Sequence, residues 1–410
     1  MVKENIQNSL TVFTKCFNFQ VSFLKDLDVQ PIKICQAFFK NLNQKKISYC
    51  HWKSNSHLME GLAGYSDLDL LISTKHKAKI KDTLDKFEFK QVFSPPPRNY
   101  PDLEDYIGFD QYSGKLVHFH IHYKLILGEQ LLKNYHLPIE TLMLNSTKLD
   151  NEIKIPAREL ELLMLIIRSC MKVRVWDILL LLFRIKPSLF PPGIIEEYNF
   201  LISNYSPAKF EAFFIKTSLP LPYSKIAVFI SKITAGNLSS ADILKMRYYI
   251  FNKLRPFRRH NYINTLRNKL KNNIYLTPGL RKIFPLHKKH LGNKGILIAI
   301  VGADGSGKTT LVKDLAKWLS WKMQVRTLYF GIPKTLPLKI INKLISFLRF
   351  PARISLKKVF APVVNLEHYV SVRRWIWVAG KRLQIYQKAL AWTEKGMIVI
   401  SDRYPLSNFW

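Results

Sequence analysis

The chain has 410 residues, with 63 Lys and Arg against 29 Asp and Glu, so its formal net charge is +34. This length predicts two or three domains, and a hydrophobic fraction of 48% excludes a disordered chain. Sixteen glycines and 21 prolines exclude collagen-like and low-complexity proteins. The excess of positive charge favours polyanionic partners: nucleotides, nucleic acid or an anionic membrane surface.

The cysteines are scattered without metal-ligand spacing, a pattern typical of reduced thiols in the cytoplasm. The four are Cys16, Cys35, Cys50 and Cys170. No stretch of about 18 residues is free of charge, so no membrane-spanning helix is expected. The first residues lack the cationic-then-apolar pattern of a signal peptide. A cytoplasmic location is therefore expected.

The amino-terminal part of the chain is predicted to consist of helices over 1–45 and an α+β domain over 46–150. Residues 105–111 and 116–123 predict a β-hairpin, with Gly114 in its turn.

Two carboxylates, Asp67 and Asp69, lie at a predicted strand over 68–73. Because they are two residues apart, they are expected to share one face of that strand, where paired carboxylates could hold two Mg²⁺ ions for nucleotidyl transfer. The segment 51–73 resembles the active-site strand of the nucleotidyltransferase fold, although Lys53-Ser54-Asn55 replaces the usual Gly–Ser. The resemblance implies a nucleotidyltransferase-like domain. Asp110 is a candidate third carboxylate, since the hairpin could bring it back; the alternative is a strand end whose acids face solvent.

Three histidines, His118, His120 and His122, alternate along the second hairpin strand and therefore share one face. Three imidazoles on one face could bind a metal or a phosphate. The alternative is an ordinary polar sheet face.

Residues 151–290 predict a basic helical region. The nearly apolar stretch 159–185 carries several charges and predicts a buried helix or helix pair rather than a membrane segment. From Ile243 to Ala303 there is no Asp or Glu, and aromatic residues interleave with Lys and Arg. Single-strand nucleic-acid binders use this pattern. A solvated helical face is the favoured interpretation; an anionic membrane or lipid-linked substrate and nucleic acid are the alternatives.

A phosphate-binding loop is the most informative motif. An apolar run over 296–301 predicts a parallel strand buried on both faces, and Gly302-x-x-x-x-Gly307-Lys308-Thr309 follows at once. Backbone N–H groups of such a loop surround phosphate oxygens, the lysine neutralises the β- and γ-phosphates, and the threonine hydroxyl ligates Mg²⁺. ATP and Mg²⁺ are therefore the expected cofactors. The predicted nucleotide-binding residues are Gly302, Gly305, Ser306, Gly307, Lys308, Thr309 and Thr310.

A second apolar strand, within 396–404, ends in Asp402. An acid at the carboxyl end of a strand beside the phosphate loop can hold the Mg²⁺ shell together with Thr309. Arg403 is then placed to clamp a transferring or acceptor phosphate. A surface turn with an Asp–Arg pair is the alternative.

These motifs, with WVAGKR at 377–382, resemble the thymidylate kinase branch of P-loop kinases over about 294–410. The resemblance implies ATP-dependent phosphoryl transfer on an α/β fold. It further implies that Asp304 orients the acceptor sugar, Arg382 faces the acceptor base and Arg403 holds the acceptor phosphate. The residues that would carry ATP and Mg²⁺ are Lys308, Thr309 and Asp402.

Two departures from that family limit the prediction. The Arg–Glu–Pro–Gly-type segment expected after the strand at 325–331 is missing, so thymidylate, another nucleotide, a sugar and a glycan intermediate all remain open as acceptors. The lid and two further strands of such a fold would lie beyond residue 410. We therefore expect residues 291–410 to form an incomplete P-loop domain, with an open sheet edge, weak ATP binding and little turnover.

A basic amphipathic segment over 336–360 predicts a helix packed on its own domain, with contact to the inner face of an anionic membrane as the alternative. The sequence as a whole predicts a kinase acting on a nucleotide or phosphorylated small molecule. Nucleotidyl transfer by the amino-terminal domain and an ATP-binding, membrane-associated module without turnover are the other hypotheses.

Overall fold

The computed structural model describes residues 30–283, 287–292, 294–303, 305–331, 336–352 and 361–403. Its chain divides into two compact units. The first comprises Met1–Gln91 and Pro97–Phe284; the second comprises Val92–Pro96 and Pro285–Trp410. The predicted helices before residue 30 and the predicted sugar-orienting Asp304 lie outside the described residues.

The first unit contains most of the helices and strands. In chain order they are α1 (Lys33–Gln44), β1 (Tyr49–His51), α2 (Leu58–Leu62), β2 (Leu68–Ile72), α3 (Lys77–Lys86), β3 (Lys90–Phe93), β4 (Leu103–Asp110), β5 (Lys115–His122), β6 (Leu125–Leu127), β7 (Tyr135–Leu137), α4 (Glu140–Asn145), β8 (Thr147–Asp150), β9 (Ile153–Pro156), α5 (Arg158–Lys172), α6 (Val175–Leu182), α7 (Pro192–Ile202), α8 (Pro207–Thr217), α9 (Tyr223–Thr234), α10 (Ser240–Lys253), α11 (Tyr262–Leu276) and α12 (Pro278–Ile283). The result is a mixed α/β architecture.

A mixed sheet in the first unit has the strand order β1-β2-β5-β4-β3. β2 and β5 are parallel, whereas β1 pairs with β2 and β4 with β5 in the antiparallel sense. The predicted hairpin is confirmed as β4 and β5. Gly114 lies between them with a φ of +68°, in the left-handed region that favours glycine.

Two apolar clusters stabilise the first unit. One packs α1 and α3 against the sheet, with Phe38, Phe89 and Phe119 in mutual ring contact. The other surrounds α5 with residues from the following helices and from β1, β2, β6 and β7. The helical region therefore shares its core with the strands that precede it.

The predicted apolar helix pair over 159–185 differs in its two halves. α5 is buried along nearly its whole length. α6 is not, because Val175, Trp176 and Leu182 are exposed. Burial of the second half was therefore a wrong prediction, since α6 lies at the surface of the cluster rather than at its centre.

The second unit carries the phosphate-loop motif. Its elements are β10 (His290–Leu291), β11 (Ile296–Ile300), α13 (Lys308–Leu319), β12 (Val325–Tyr329), α14 (Leu336–Ala352), α15 (Ala361–Glu394) and β13 (Ile398–Asp402). β11, β13 and β12 form a parallel sheet in that order. α14 packs against α15. The short helix predicted at 377–382 is part of α15, which is much longer.

The strands of this sheet are not all buried as the sequence predicted. β13 lies between its two neighbours and is buried throughout. β11 was predicted to be buried on both faces, yet Ile296 is 52% exposed and Val301, just beyond the strand, is 59% exposed. The reason is that β11 has a partner strand on only one side within the described residues. None of the described helices is both long enough and apolar enough to cross a membrane.

Candidate functional sites

The phosphate-loop motif forms a tight turn between β11 and α13. Gly305 and Gly307 have φ values of +84° and +80°, a backbone conformation that residues with a side chain rarely adopt. Gly302 approaches Ser306, since a Cβ at residue 302 would lie 3.0 Å from the serine Oγ. The backbone N–H groups at the start of α13 have no intrahelical acceptors, so the loop is suited to bind an anion.

Lys308 begins α13 and folds back over the loop. Its side chain is buried, and its ammonium donates a hydrogen bond to the backbone carbonyl of Ala303 and lies 3.5 Å from Ser306 Oγ. The positive charge therefore lies inside the turn, where a bound phosphate would meet it.

Thr309 and Asp402 are brought together by the parallel pairing of β11 and β13, in which Ile300 lies beside Asp402. The Thr309 hydroxyl donates to Asp402 Oδ2 at 2.8 Å. Asp402 is only 8% exposed, and its other oxygen, Oδ1, has no hydrogen-bond partner among the described residues. A hydroxyl and a buried carboxylate oxygen are the donors that Mg²⁺ prefers, so these residues fit the expected ion.

A pocket of about 690 Å³ opens over this loop. Its lining residues are Gly305, Gly307, Lys308, Thr309, Thr310, Tyr329, Asp402 and Arg403. The Arg403 guanidinium lies 6.0 Å from the Tyr329 ring. Burial, with the charge of Arg403, lowers the pKa of Arg382. The structure thus brings Lys308, Thr309, Asp402 and Arg403 together around one pocket, which Arg382 does not line.

A second candidate site lies on the sheet of the first unit. Asp67 and Asp69 share one face, as predicted, and both contact the histidines of β5, which was not predicted. Asp67 Oδ1 lies 2.8 Å from His118 Nδ1, and Asp67 Oδ2 lies 3.4 Å from His120 Nε2. Asp69 Oδ1 lies 3.1 Å from His122 Nε2.

Lys53 connects the loop after β1 to this site, because its ammonium lies 2.9 Å from Asp69 Oδ1. Burial would raise the pKa of Asp69, but Lys53 and the histidines outweigh it and hold that pKa well below its usual range. Burial lowers the pKa of His122 to about 4, so this imidazole is neutral at pH 7.

The third carboxylate is Asp105 rather than Asp110. Asp105 lies opposite His120 in the β4–β5 register, and its Oδ1 lies 2.7 Å from His120 Nδ1. Asp110 instead accepts hydrogen bonds from the Ser113 backbone and hydroxyl and from the Ile34 backbone. The prediction for Asp110 was wrong because the residue stabilises the hairpin end, far along β4 from the histidines.

The loop carrying Lys53 is held by charged residues inside the helical cluster. The Asn55 backbone and side-chain amides donate to Glu161, and the Ser54 backbone donates to Glu197. Arg168 pairs with Glu197 in the buried interior. These hydrogen bonds and this ion pair were not predicted from the sequence. The charged residues within the apolar run 159–185 were the one indication of them.

Two further lysines, Lys133 and Lys172, lie in the same electrostatic environment. Burial, with the nearby charge of Lys53, lowers the pKa of Lys133 to about 7. Burial and the charge of Arg168 lower the pKa of Lys172 to about 8. The site therefore combines carboxylates and imidazoles with the ammonium of Lys53 and two nearby lysines whose pKa values are lowered toward neutrality.

Comparisons with known proteins agree with the phosphate-loop site. The chain is 32% identical over 116 residues to an uncharacterised ATP-binding protein, YghS, of Escherichia coli, which covers 27% of this chain and 47% of that protein. It is 27% identical over 118 residues to a thymidylate kinase of Mycoplasma genitalium, covering 28% of this chain and 48% of the kinase. The chain spans about half the length of the curated relatives it matches. These similarities support a P-loop kinase-like region.

No family model matches the chain. Among solved structures, JHP933 from Helicobacter pylori is similar at 13% identity with a TM-score of 0.22, covering 58% of this chain and 95% of that one.

Proposed function

We propose that the second unit binds ATP with Mg²⁺ and transfers its γ-phosphoryl group to a nucleotide or a related phosphate or sugar acceptor. The observation that carries this proposal is the hydrogen bond from Thr309 to Asp402, with the buried Oδ1 of Asp402 left for an ion. The similarity to a protein named as ATP-binding and to one named as a thymidylate kinase supports it.

Different residues would bind the phosphates, the metal ion and the acceptor. The loop N–H groups and Lys308 would bind the phosphates, and Thr309 and Asp402 would hold Mg²⁺. A bound Mg²⁺ supplies charge neutralisation as the phosphoryl group is transferred. Arg403, which lines the pocket, would bind an anionic group of the acceptor, with Arg382 as the second predicted acceptor-binding arginine.

Lys308→Ala is expected to weaken MgATP binding by the full-length chain roughly tenfold to a hundredfold. The reason is that one charge-assisted contact contributes about 1.5–3 kcal/mol. Isothermal titration with MgATP measures the change. The matched control is Lys317→Ala, which removes an exposed lysine from the same helix and should leave the affinity unchanged. Equal affinity in the parent chain and Lys308→Ala would contradict the phosphate-loop assignment.

Nucleotidyl transfer by the first unit is the second candidate function. It is favoured by the shared face of Asp67 and Asp69 and by the ammonium of Lys53 at 2.9 Å from Asp69. Carboxylates in this arrangement could hold divalent ions against a triphosphate, and the surrounding lysines could bind its phosphates.

Asp69→Asn should abolish Mg²⁺-dependent pyrophosphate release from nucleoside triphosphates if this second activity exists. A coupled pyrophosphate assay on the full-length chain measures it, with Lys308→Ala beside it to remove the contribution of the phosphate loop. Pyrophosphate release that survives Asp69→Asn would exclude this site as its source.

A further inference from the structure

The carboxylate of Asp67 and the imidazoles of His118 and His120 place three ligand atoms within 4.8 Å of one another. We propose that these three residues form a binding site for a divalent transition-metal ion, with Zn²⁺ as the representative ion, rather than a site for Mg²⁺.

The distances between the ligand atoms fit a single small ion. Asp67 lies 2.8 Å from His118 Nδ1 and 3.4 Å from His120 Nε2. Ligands about 2.05 Å from Zn²⁺ lie about 2.9 Å apart at a right angle and about 3.4 Å apart at the tetrahedral angle. The distances from Asp67 Oδ1 to His118 and from Asp67 Oδ2 to His120 therefore lie in the range found between two ligands that share an ion.

The donor atoms select the class of metal. Two imidazole nitrogens with one carboxylate oxygen suit zinc, iron and similar ions, whereas Mg²⁺ favours a shell of oxygens and keeps several waters. Three protein ligands with a further open position are typical of catalytic rather than structural zinc sites. The side chains of Asp67 and His120 remain 29% and 22% exposed, so water or a ligand can reach that position.

Asp105 supplies the outer shell that such a site needs. It is buried, and its Oδ1 lies 2.7 Å from His120 Nδ1 and 3.4 Å from His118 Nε2. These are the ring nitrogens opposite those that face Asp67. A carboxylate on the distal nitrogen orients a metal-binding imidazole and raises its basicity. Here Oδ1 of one carboxylate lies within 3.4 Å of a ring nitrogen of each histidine, and the β4–β5 pairing places all three residues on neighbouring strands.

The proposal shares Asp67 with the candidate nucleotidyl-transfer site, but its test is distinct from those of both candidate activities. Asp69 is engaged by Lys53 and His122 and is not one of the three ligands. Loss of nucleotidyl transfer in Asp69→Asn therefore leaves the metal site intact, and the phosphate loop contributes no ligand to it.

The test measures Zn²⁺ affinity of the full-length chain after chelator treatment, by competition with a chromophoric zinc chelator. We expect one Zn²⁺ per chain at this site, and a loss of that binding in His118→Ala and in His120→Ala. Asp105→Asn should weaken it about 10- to 100-fold. The control is His136→Ala, since His136 on β7 and Glu140 on α4 form an imidazole–carboxylate pair without being part of the three-residue group.

Co²⁺ substitution provides a second readout, because its visible absorption band changes when an imidazole ligand is lost. His118 is fully buried, whereas His120 is partly exposed; His120→Ala, checked by circular dichroism, therefore keeps the test valid if His118→Ala does not fold. Zn²⁺ binding unchanged in folded His120→Ala would overturn the proposal. So would the absence of Zn²⁺ binding by the parent chain.

Discussion

Asp402→Asn is expected to reduce phosphoryl transfer by about 10²–10³-fold and to raise the Mg²⁺ concentration needed for ATP binding. The substitution keeps an acceptor for the Thr309 hydroxyl but removes the negative charge, so the buried Oδ1 no longer favours a divalent cation. A metal ion contributes several kcal/mol to stabilising the charge of such a reaction, and about 3–4 kcal/mol corresponds to this range. Initial rates and ATP binding measured across a Mg²⁺ titration check both effects.

The control for this experiment is Asp314→Asn, which neutralises an exposed carboxylate on α13 within the same unit. It changes net charge by the same amount without touching the loop, so its Mg²⁺ dependence should match that of the parent chain. A parallel decline in both variants would assign the effect to general electrostatics rather than to a metal ligand at Asp402.

The phosphate-loop site was predictable because its geometry is local. Gly302 to Thr309 are contiguous, and the strand before them and helix after them follow from apolar spacing. Asp402 is distant in sequence, but an acid at the end of a buried strand has few structural roles beside such a loop. The exposure of Ile296 was not predictable from the same residues, since apolar character does not reveal how many neighbouring strands a sheet provides.

The arrangement of Asp67, His118 and His120 in the first unit was only half predictable. Alternation predicts that the histidines share one face of their strand and that the two acids share one face of theirs. Whether the acids lie next to the histidines depends on which strands are neighbours in the sheet. The parallel pairing of β2 with β5 set Asp69 beside His120, and the β4–β5 register set Asp105 there instead of Asp110. A hairpin can be predicted from its turn, whereas a parallel pair depends on tertiary packing.

The contacts that hold the loop of Lys53, Ser54 and Asn55 were not predicted, for a different physical reason. Glu161 and Arg168 are ionisable residues within an apolar helix, and each has a partner from another segment: Asn55 for the first and Glu197 for the second. Such pairing cannot be derived from helical periodicity alone, because the partners are 106 and 29 residues away.

Arg168→Met is therefore expected to destabilise the first unit by about 3–5 kcal/mol, because it leaves the Glu197 carboxylate buried without its cationic partner. The double variant Arg168→Met/Glu197→Gln removes both charges and keeps an acceptor for the Ser54 N–H, so it should recover most of the lost stability. Urea unfolding of the full-length chain, followed by far-ultraviolet circular dichroism, measures the free energies.

Arg158→Met is the matched control, since this arginine lies on the same helix but its hydrogen bonds to Phe200 and Ser203 are at the surface. Its cost should be about 1 kcal/mol. If the double variant were no more stable than Arg168→Met, the loss would come from packing of the arginine stem rather than from an unpaired buried charge. Recovery in the double variant would instead assign the loss to the unpaired carboxylate of Glu197, which accepts a hydrogen bond from the Ser54 backbone in the loop that carries Lys53. Because Lys53 reaches Asp69 from this loop, the same pair would then position the ammonium group of the candidate site.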